Sequence, residues 1–204
     1  IKKTSIEAVA FAYGMGGPVT AIALGAADKN ELETLGKYGA EKVLHVSDDR
    51  LSQGIIQAYA AALEQALKDE NANILVLANS SLGTPVAARI AAKIGASLAS
   101  NVIELPNTSA GFVVKRSIYT GKAFAWVELT NEKKVITIRK NAAEMKEVAG
   151  SVQVTPYSVT LSDADFTTKI TSAEKATGEV LLPEANIVVS GGRGMKGPEH
   201  WPML

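Results

Sequence analysis

Between residues 52 and 96 helix-type and strand-type patterns follow one another so closely that few folds can hold them. From Ser52 to Glu70 the apolar residues Ile55, Ile56, Tyr59, Leu63, Ala66 and Leu67 recur at helical spacing, which predicts a long amphipathic helix. Asn73 to Ala78 (NILVLA) is almost continuously apolar, the pattern of a strand covered on both faces in a parallel sheet. Thr84-Pro85 then reads as an N-cap and a first-turn proline, opening an alanine-rich helix through Ala96. Strand and crossover helix in alternation wind right-handed, so the expected class is α/β: a parallel wound sheet with flanking helices.

The flanking sequence extends the pattern. Thr4-Ser5-Ile6-Glu7 reads as a capping box ahead of a helix with Ile6, Val9, Ala10 and Tyr13 on one stripe, ended by Gly14, Gly16 and Gly17. Val19 to Leu24 and Lys42 to Val46 read as strands, with a short helix from Asp28 to Tyr38 closed by Gly39 between them. Past Leu98 the character changes. Gly111 to Tyr119, Lys122 to Thr130 and Lys134 to Arg139 predict an appended antiparallel meander, turning at Thr120-Gly121 and Asn131-Glu132-Lys133. Ser151 to Thr160 suggests one more strand. Leu161 to Glu184 is polar and reads as a weak helix and a linker. The expected division is a domain over residues 1–183 and the truncated start of a second over 184–204, opened by a strand at Asn186 to Ser190.

Charge and composition exclude several function classes. Lys and Arg together number 21 and Asp and Glu also 21, so no net field favours nucleic acid or an anionic membrane as partner. The chain has no cysteine, which removes disulfides, thiolate chemistry and Cys-ligated metal and favours a cytoplasmic location. No uncharged apolar run reaches the roughly 18 residues of a membrane span, and no secretory signal pattern opens the sequence.

Residues able to carry chemistry are sparse. His45 stands in a strand pattern without a partner at metal or catalytic spacing, and His200 lies among Pro198, Trp201 and Pro202. Asn79-Ser80-Ser81-Leu82-Gly83 follows a parallel strand, where open α/β sheets place ligands, yet ordinary capping explains its residues. The basic pairs Lys115-Arg116 and Lys133-Lys134 suit solvated strand edges. No hydrolytic triad or clustered carboxylate pair can be assembled, and no metal ligand set stands out. What remains is Gly191-Gly192-Arg193-Gly194 after the apolar Ile187-Val188-Val189. Glycines let a backbone approach a phosphate closely, and arginine supplies a bidentate cation. Gly192, Gly194 and Gly197 also match G-x-G-x-x-G, but a dinucleotide site needs a helix next and an acidic residue about 20 positions on, and neither follows.

Ile187-Val188-Val189-Ser190-Gly191-Gly192-Arg193-Gly194 resembles the opening of the FAD domain in the electron transfer flavoprotein alpha subunit family. Three further segments are similar to that family in the same order: Lys2-Lys3-Thr4-Ser5-Ile6-Glu7-Ala8, Leu82 to Ala91, and Arg116-Ser117-Ile118-Tyr119-Thr120-Gly121-Lys122-Ala123. Val86 and Ala88 stand for the family's usual Leu and Pro, and Ser117 for Pro. The resemblance implies an electron carrier rather than an enzyme, in which the chain is the N-terminal domain without its first strand. It implies FAD contacts at Arg193, Gly192 and Gly194, with FAD held mainly by the domain that would follow. It also implies a heterodimer with the beta subunit, serving flavoprotein dehydrogenases and passing electrons to a quinone reductase or other acceptor. Two other readings stay open: a stand-alone adenine-nucleotide-binding α/β domain of universal-stress type, with phosphate held by Asn79 to Thr84, and a purely structural interaction module.

Overall fold

A computed structural model describes residues 1–172, 185 and 187–203. The chain divides into two units, Ile1–Ile170 and Thr171–Leu204. The expected boundary at residues 183–184 and the half of the expected 161–184 helix and linker from residue 173 onward lie outside the described residues.

The first unit holds two sheets. Strands β1 (Thr20–Leu24), β2 (Lys42–Val46) and β8 (Val154–Pro156) run parallel in the order β1-β2-β8. The other sheet has five strands in the order β3-β7-β4-β5-β6, from Ile74–Ala78 (β3), Ser97–Val102 (β4), Val113–Ile118 (β5), Ala123–Glu128 (β6) and Lys134–Ile138 (β7). The α/β class is as expected, with β7 parallel to both β3 and β4. The antiparallel meander exists as β4-β5-β6. The strand expected to be its third member, Lys134–Ile138, instead leaves the hairpin and inserts between β3 and β4. Its sequence explains why: Val135, Ile136, Thr137 and Ile138 are all buried, which only a central strand covered on both faces provides.

Strand alternation distributes the core between two faces. Leu75 and Leu77 of β3 and Val135 of β7 meet helices α3 (Ile56–Asp69) and α4 (Gly83–Ile94) through Leu63, Leu67, Val86 and Ile90. Ile74, Val76, Ile136 and Ile138 point the other way, onto Phe11 of α1 (Lys3–Gly14). Phe11 is 1% exposed, and deleting such a ring costs about 3–5 kcal/mol. Both faces of β3 are thus packed as its sequence suggested, but each residue is only partly buried because β3 ends its sheet.

Several local expectations change. The capping box at Thr4–Glu7 is not formed: α1 starts at Lys3 behind Lys2, without a side-chain cap. The Glu7 carboxylate turns inward, is 1% exposed and accepts a bond from the Asn141 N–H at 3.0 Å. The predicted stripe also shifts, with Phe11 taking the core position and Tyr13 46% exposed. The helix expected from Ser52 begins only at Ile56, because Asp49–Gln53 forms a 3-10 turn that Gly54 ends at φ 72°. The Asp28 to Tyr38 helix is α2 (Lys29–Glu33) continued as a 3-10 turn, with Gly39 the left-handed cap as expected. Thr84 does not cap α4. Its hydroxyl donates to Asn79 Oδ1 at 2.9 Å, while Ser80 Oγ accepts from the Gly83 N–H. Gly36 is required for close approach, since a Cβ there would stand 2.8 Å from the Val152 nitrogen.

Polar bonds lock the order of the larger sheet. Asn79, just past β3, accepts from the Thr137 hydroxyl on β7 at 3.1 Å, and that hydroxyl accepts from the Asn101 N–H on β4. Asn101 Nδ2 donates to the Ser117 carbonyl on β5 at 2.9 Å. Asn101 adopts φ 60°, at the register shift where β4 turns from its parallel partner to its antiparallel one. Ser117 is 3% exposed and its hydroxyl has no partner. A buried hydroxyl without a bond is a cost, so Ser117→Ala is expected to raise stability by up to about 1 kcal/mol in urea unfolding; a loss would mean that the hydroxyl is bonded in solution.

At the far end of α3, Glu70 bonds Lys42 Nζ at 2.5 Å and the Thr20 hydroxyl at 3.0 Å, fastening the helix to β1 and β2. The bond from Lys42, then that from Thr20, holds the Glu70 carboxyl below its ordinary 4.5 against the opposing effect of burial. A depressed carboxylate stabilises the fold above the unfolded-state value, and that stability is lost as pH falls through the folded-state value. Glu70→Gln is therefore expected to cost about 0.5–1 kcal/mol at pH 7 and to flatten the acid side of the stability profile, read by denaturant unfolding across pH.

Candidate functional site

The residues singled out by sequence fall into separate places. His45 is half-buried and its Nε2 lies 2.9 Å from the Gly25 carbonyl, a structural tie between the ends of β2 and β1. His200 is in a 3-10 turn, Pro198–Met203, beside Glu199. Among the described residues no three His, Cys, Asp or Glu side chains gather as metal ligands. No helix there is long and apolar enough to cross a membrane.

The loop after β3 sits at the carboxyl ends of parallel strands, but several of its polar groups serve its own turn or the neighbouring strand. The Asn79 N–H donates to the Ile138 carbonyl, the Gly83 N–H to Ser80 Oγ and the Thr84 N–H to the Ser80 carbonyl. Asn79 Oδ1 is held by both Thr84 and Thr137. Groups spent in this way are not free to cradle a phosphate, which weakens the adenine-nucleotide reading.

The glycine-arginine loop lies in the second unit. Arg193–Met195 forms one 3-10 turn, with the Met195 N–H bonded to the Gly192 carbonyl at 3.0 Å and the Lys196 N–H to the Arg193 carbonyl at 3.1 Å. Arg193 is exposed. Neither Gly192 nor Gly194 has a positive φ, and among the described residues nothing beyond their immediate neighbours lies within 4 Å of where a Cβ would stand. Packing among the described residues therefore does not demand glycine at either position, and both leave open backbone. The strand expected at Asn186 to Ser190 is not seen: Asn186 lies outside the described residues, and Ile187, Val188 and Val189 are 85%, 52% and 68% exposed with no strand assigned. A strand exists through its neighbour's hydrogen bonds, and among the described residues none pairs with this segment.

Sequence reasoning missed one surface. Phe124 and Trp126 alternate with Ala123 and Ala125, which puts both rings on one exposed face of β6. Lys115, read from sequence as a solvated edge cation, instead lies over them, with Nζ 5.3 Å and 5.2 Å from the two ring centres and 3.4 Å from the Glu104 carboxylate. The signal was the small-aromatic alternation in AFAWVE, whose meaning depends on β6 being an outer strand.

Comparison with known proteins converges. The electron transfer flavoprotein domain model matches residues 1–164. The chain is 32% identical over 200 residues to the electron transfer flavoprotein subunit alpha of Syntrophomonas wolfei, covering 98% of this chain and 63% of that protein. It is 30% identical over 207 residues to the subunit alpha of Bacillus subtilis, covering all of this chain and 64% of the relative. The probable mitochondrial subunit alpha of Caenorhabditis elegans is 25% identical over 201 residues, 60% of its length. The chain thus spans a little under two thirds of the relatives it matches. With the domain model covering β1 to β8 and likeness along nearly its whole length, the chain belongs to the electron transfer flavoprotein domain family.

Proposed function

We infer that this chain is the scaffold part of the alpha subunit of a heterodimeric, FAD-containing electron transfer flavoprotein. The observation that carries the reading is its likeness, over nearly the whole chain, to proteins named as alpha subunits. The work is electron carriage between flavoprotein dehydrogenases and a quinone reductase or other acceptor, not conversion of a substrate, and it takes place in the cytoplasm or, in a eukaryote, the mitochondrial matrix. The cofactor supplies the redox chemistry by taking up and releasing electrons.

The chain's own residues contribute binding and support. Residues 184–204 open the FAD-binding domain, whose neighbouring strands would pair Ile187–Val189. Open backbone at Gly192 and Gly194 fits close approach of the cofactor, and the exposed Arg193 guanidinium suits a phosphate or a polar ring edge. Residues 1–170 form the base that packs on the beta subunit. The two-faced core makes that base rigid, because every buried position of β7 is covered on both sides.

The test uses the full-length alpha subunit purified with its beta subunit. Arg193→Ala is expected to weaken FAD retention roughly 10- to 100-fold, the loss of a charge-assisted bond, measured by flavin release on dilution. The 204-residue chain purified by itself is expected to carry no stoichiometric flavin. Unchanged retention in the variant would remove Arg193 from the site, and a yellow, fully flavinylated 204-residue chain would overturn the division of labour.

A further inference from the structure

Strands β7 and β4 end beside the turn between β5 and β6. Arg139, the first residue past β7, donates its N–H to the Val102 carbonyl, and Asn101 Nδ2 holds the Ser117 carbonyl on β5. The turn runs through three left-handed residues, Tyr119 at φ 49°, Thr120 at φ 54° and Gly121 at φ 93°. Open α/β sheets place ligands at the carboxyl ends of their parallel strands, and backbone held in this sparse region gathers at such places.

Two side chains from different strands converge over Gly121. A Cβ built there would lie 3.8 Å from Ser117 Oγ and 3.9 Å from both Nη1 and Nη2 of Arg139. The Ser117 hydroxyl is buried and has no partner among the described residues. Next to it in sequence, Arg116 donates to Ser100 Oγ at 2.8 Å, yet its buried Nε also lacks a partner. The sequence around the turn supplies cations without acids. No Asp or Glu occurs between Glu104 and Glu128 or between Glu132 and Glu144, where Lys115, Arg116, Lys122, Arg139 and Lys140 stand. Of these, only Lys115 pairs with a carboxylate among the described residues. Donors are thus in surplus here, and a group that only accepts would relieve the cost of the unbonded hydroxyl.

We propose that Ser117 and Arg139 bind a phosphate-type oxyanion over Gly121, at the carboxyl end of β7. The guanidinium fork takes two oxygens, which uses up a carboxylate, while the separate hydroxyl asks for a third, which phosphate has. The local excess of positive charge draws the anion in. Arg139 is exposed and stands beside the covered hydroxyl, so its turning outward admits the anion between them. The site lies wholly within the first unit, and it owes nothing to the loop at Arg193 or to the reading of the chain as an alpha-subunit scaffold.

The experiment is an NMR titration of the 204-residue chain at constant ionic strength with inorganic phosphate, with glycerol phosphate as a monoester, and with acetate. Phosphate is expected to give saturating shifts at the amides of Ser117 and Gly121 and at Arg139 Nε–H. Ser117→Ala is expected to weaken phosphate binding roughly ten-fold, and Arg139→Gln by roughly ten-fold or more. Phosphate is also expected to raise the urea midpoint of the parent more than that of either variant, so the stability gained by Ser117→Ala shrinks as phosphate is added. Tighter binding of the monoester supports the site with a phosphorylated metabolite as its source; tighter binding of inorganic phosphate supports it with the free ion. Acetate binding as tightly as phosphate overturns the assignment of the anion. Shifts that do not saturate, or an affinity unchanged in either variant, overturn the site.

Discussion

The larger sheet depends on one strand that arrives late in the sequence and sits in the middle of the structure. Strand β7 bonds β3 on one side and β4 on the other, and its side chains supply core to both faces. Without it, β3 would have no partner and the β4-β5-β6 meander would lose its connection to β3. The hydrogen bonds from Asn79 through Thr137 and Asn101 to Ser117 cross the same four strands at one level. They set which strand lies beside which, a specificity that apolar packing alone does not supply.

Much of this was legible from periodicity. The helix at 56–69, the strands at 42–46 and 74–78, and the left-handed cap at Gly39 follow from local pattern, because each is decided within a few residues. What was not legible depended on distant neighbours. Lys134 to Ile138 reads as a strand in either position, and whether it joins the hairpin or the parallel strands depends on contacts with residues 37 or 60 positions earlier, as the pairs Leu98–Val135 and Leu75–Val135 show. Glu7 looked like a capping residue because its spacing from Thr4 is right; Asn141, far along the chain, takes its carboxylate instead. Likewise the rings of Phe124 and Trp126 looked like strand residues of no special note until β6 proved to be outermost.

The candidate site was legible in a different way. Gly192, Arg193 and Gly194 were chosen for residue type and for resemblance, and the structure adds that packing among the described residues does not explain those glycines. The opposite holds for the loop after β3, where Asn79, Ser80 and Thr84 already serve the turn or the sheet. Two loops with similar promise in sequence are thus separated by a simple question: whether the protein itself already uses what the residues offer.

The smaller sheet has a consequence for biosynthesis. Strands β1 and β2 lie in the first quarter of the chain, but their third member, Val154–Pro156, is made more than a hundred residues after Val43, its partner in register. Synthesis proceeds from the N-terminus, so the ribosome has released the outer side of β2 long before anything exists to cover it. The same interval leaves Val152 absent from the cluster it shares with Leu32 and Leu35. The emerging chain therefore carries an apolar strand open on one side while the residues from 47 to 156 are made, and a nascent-chain chaperone is most needed in the window that closes when residue 156 leaves the exit tunnel.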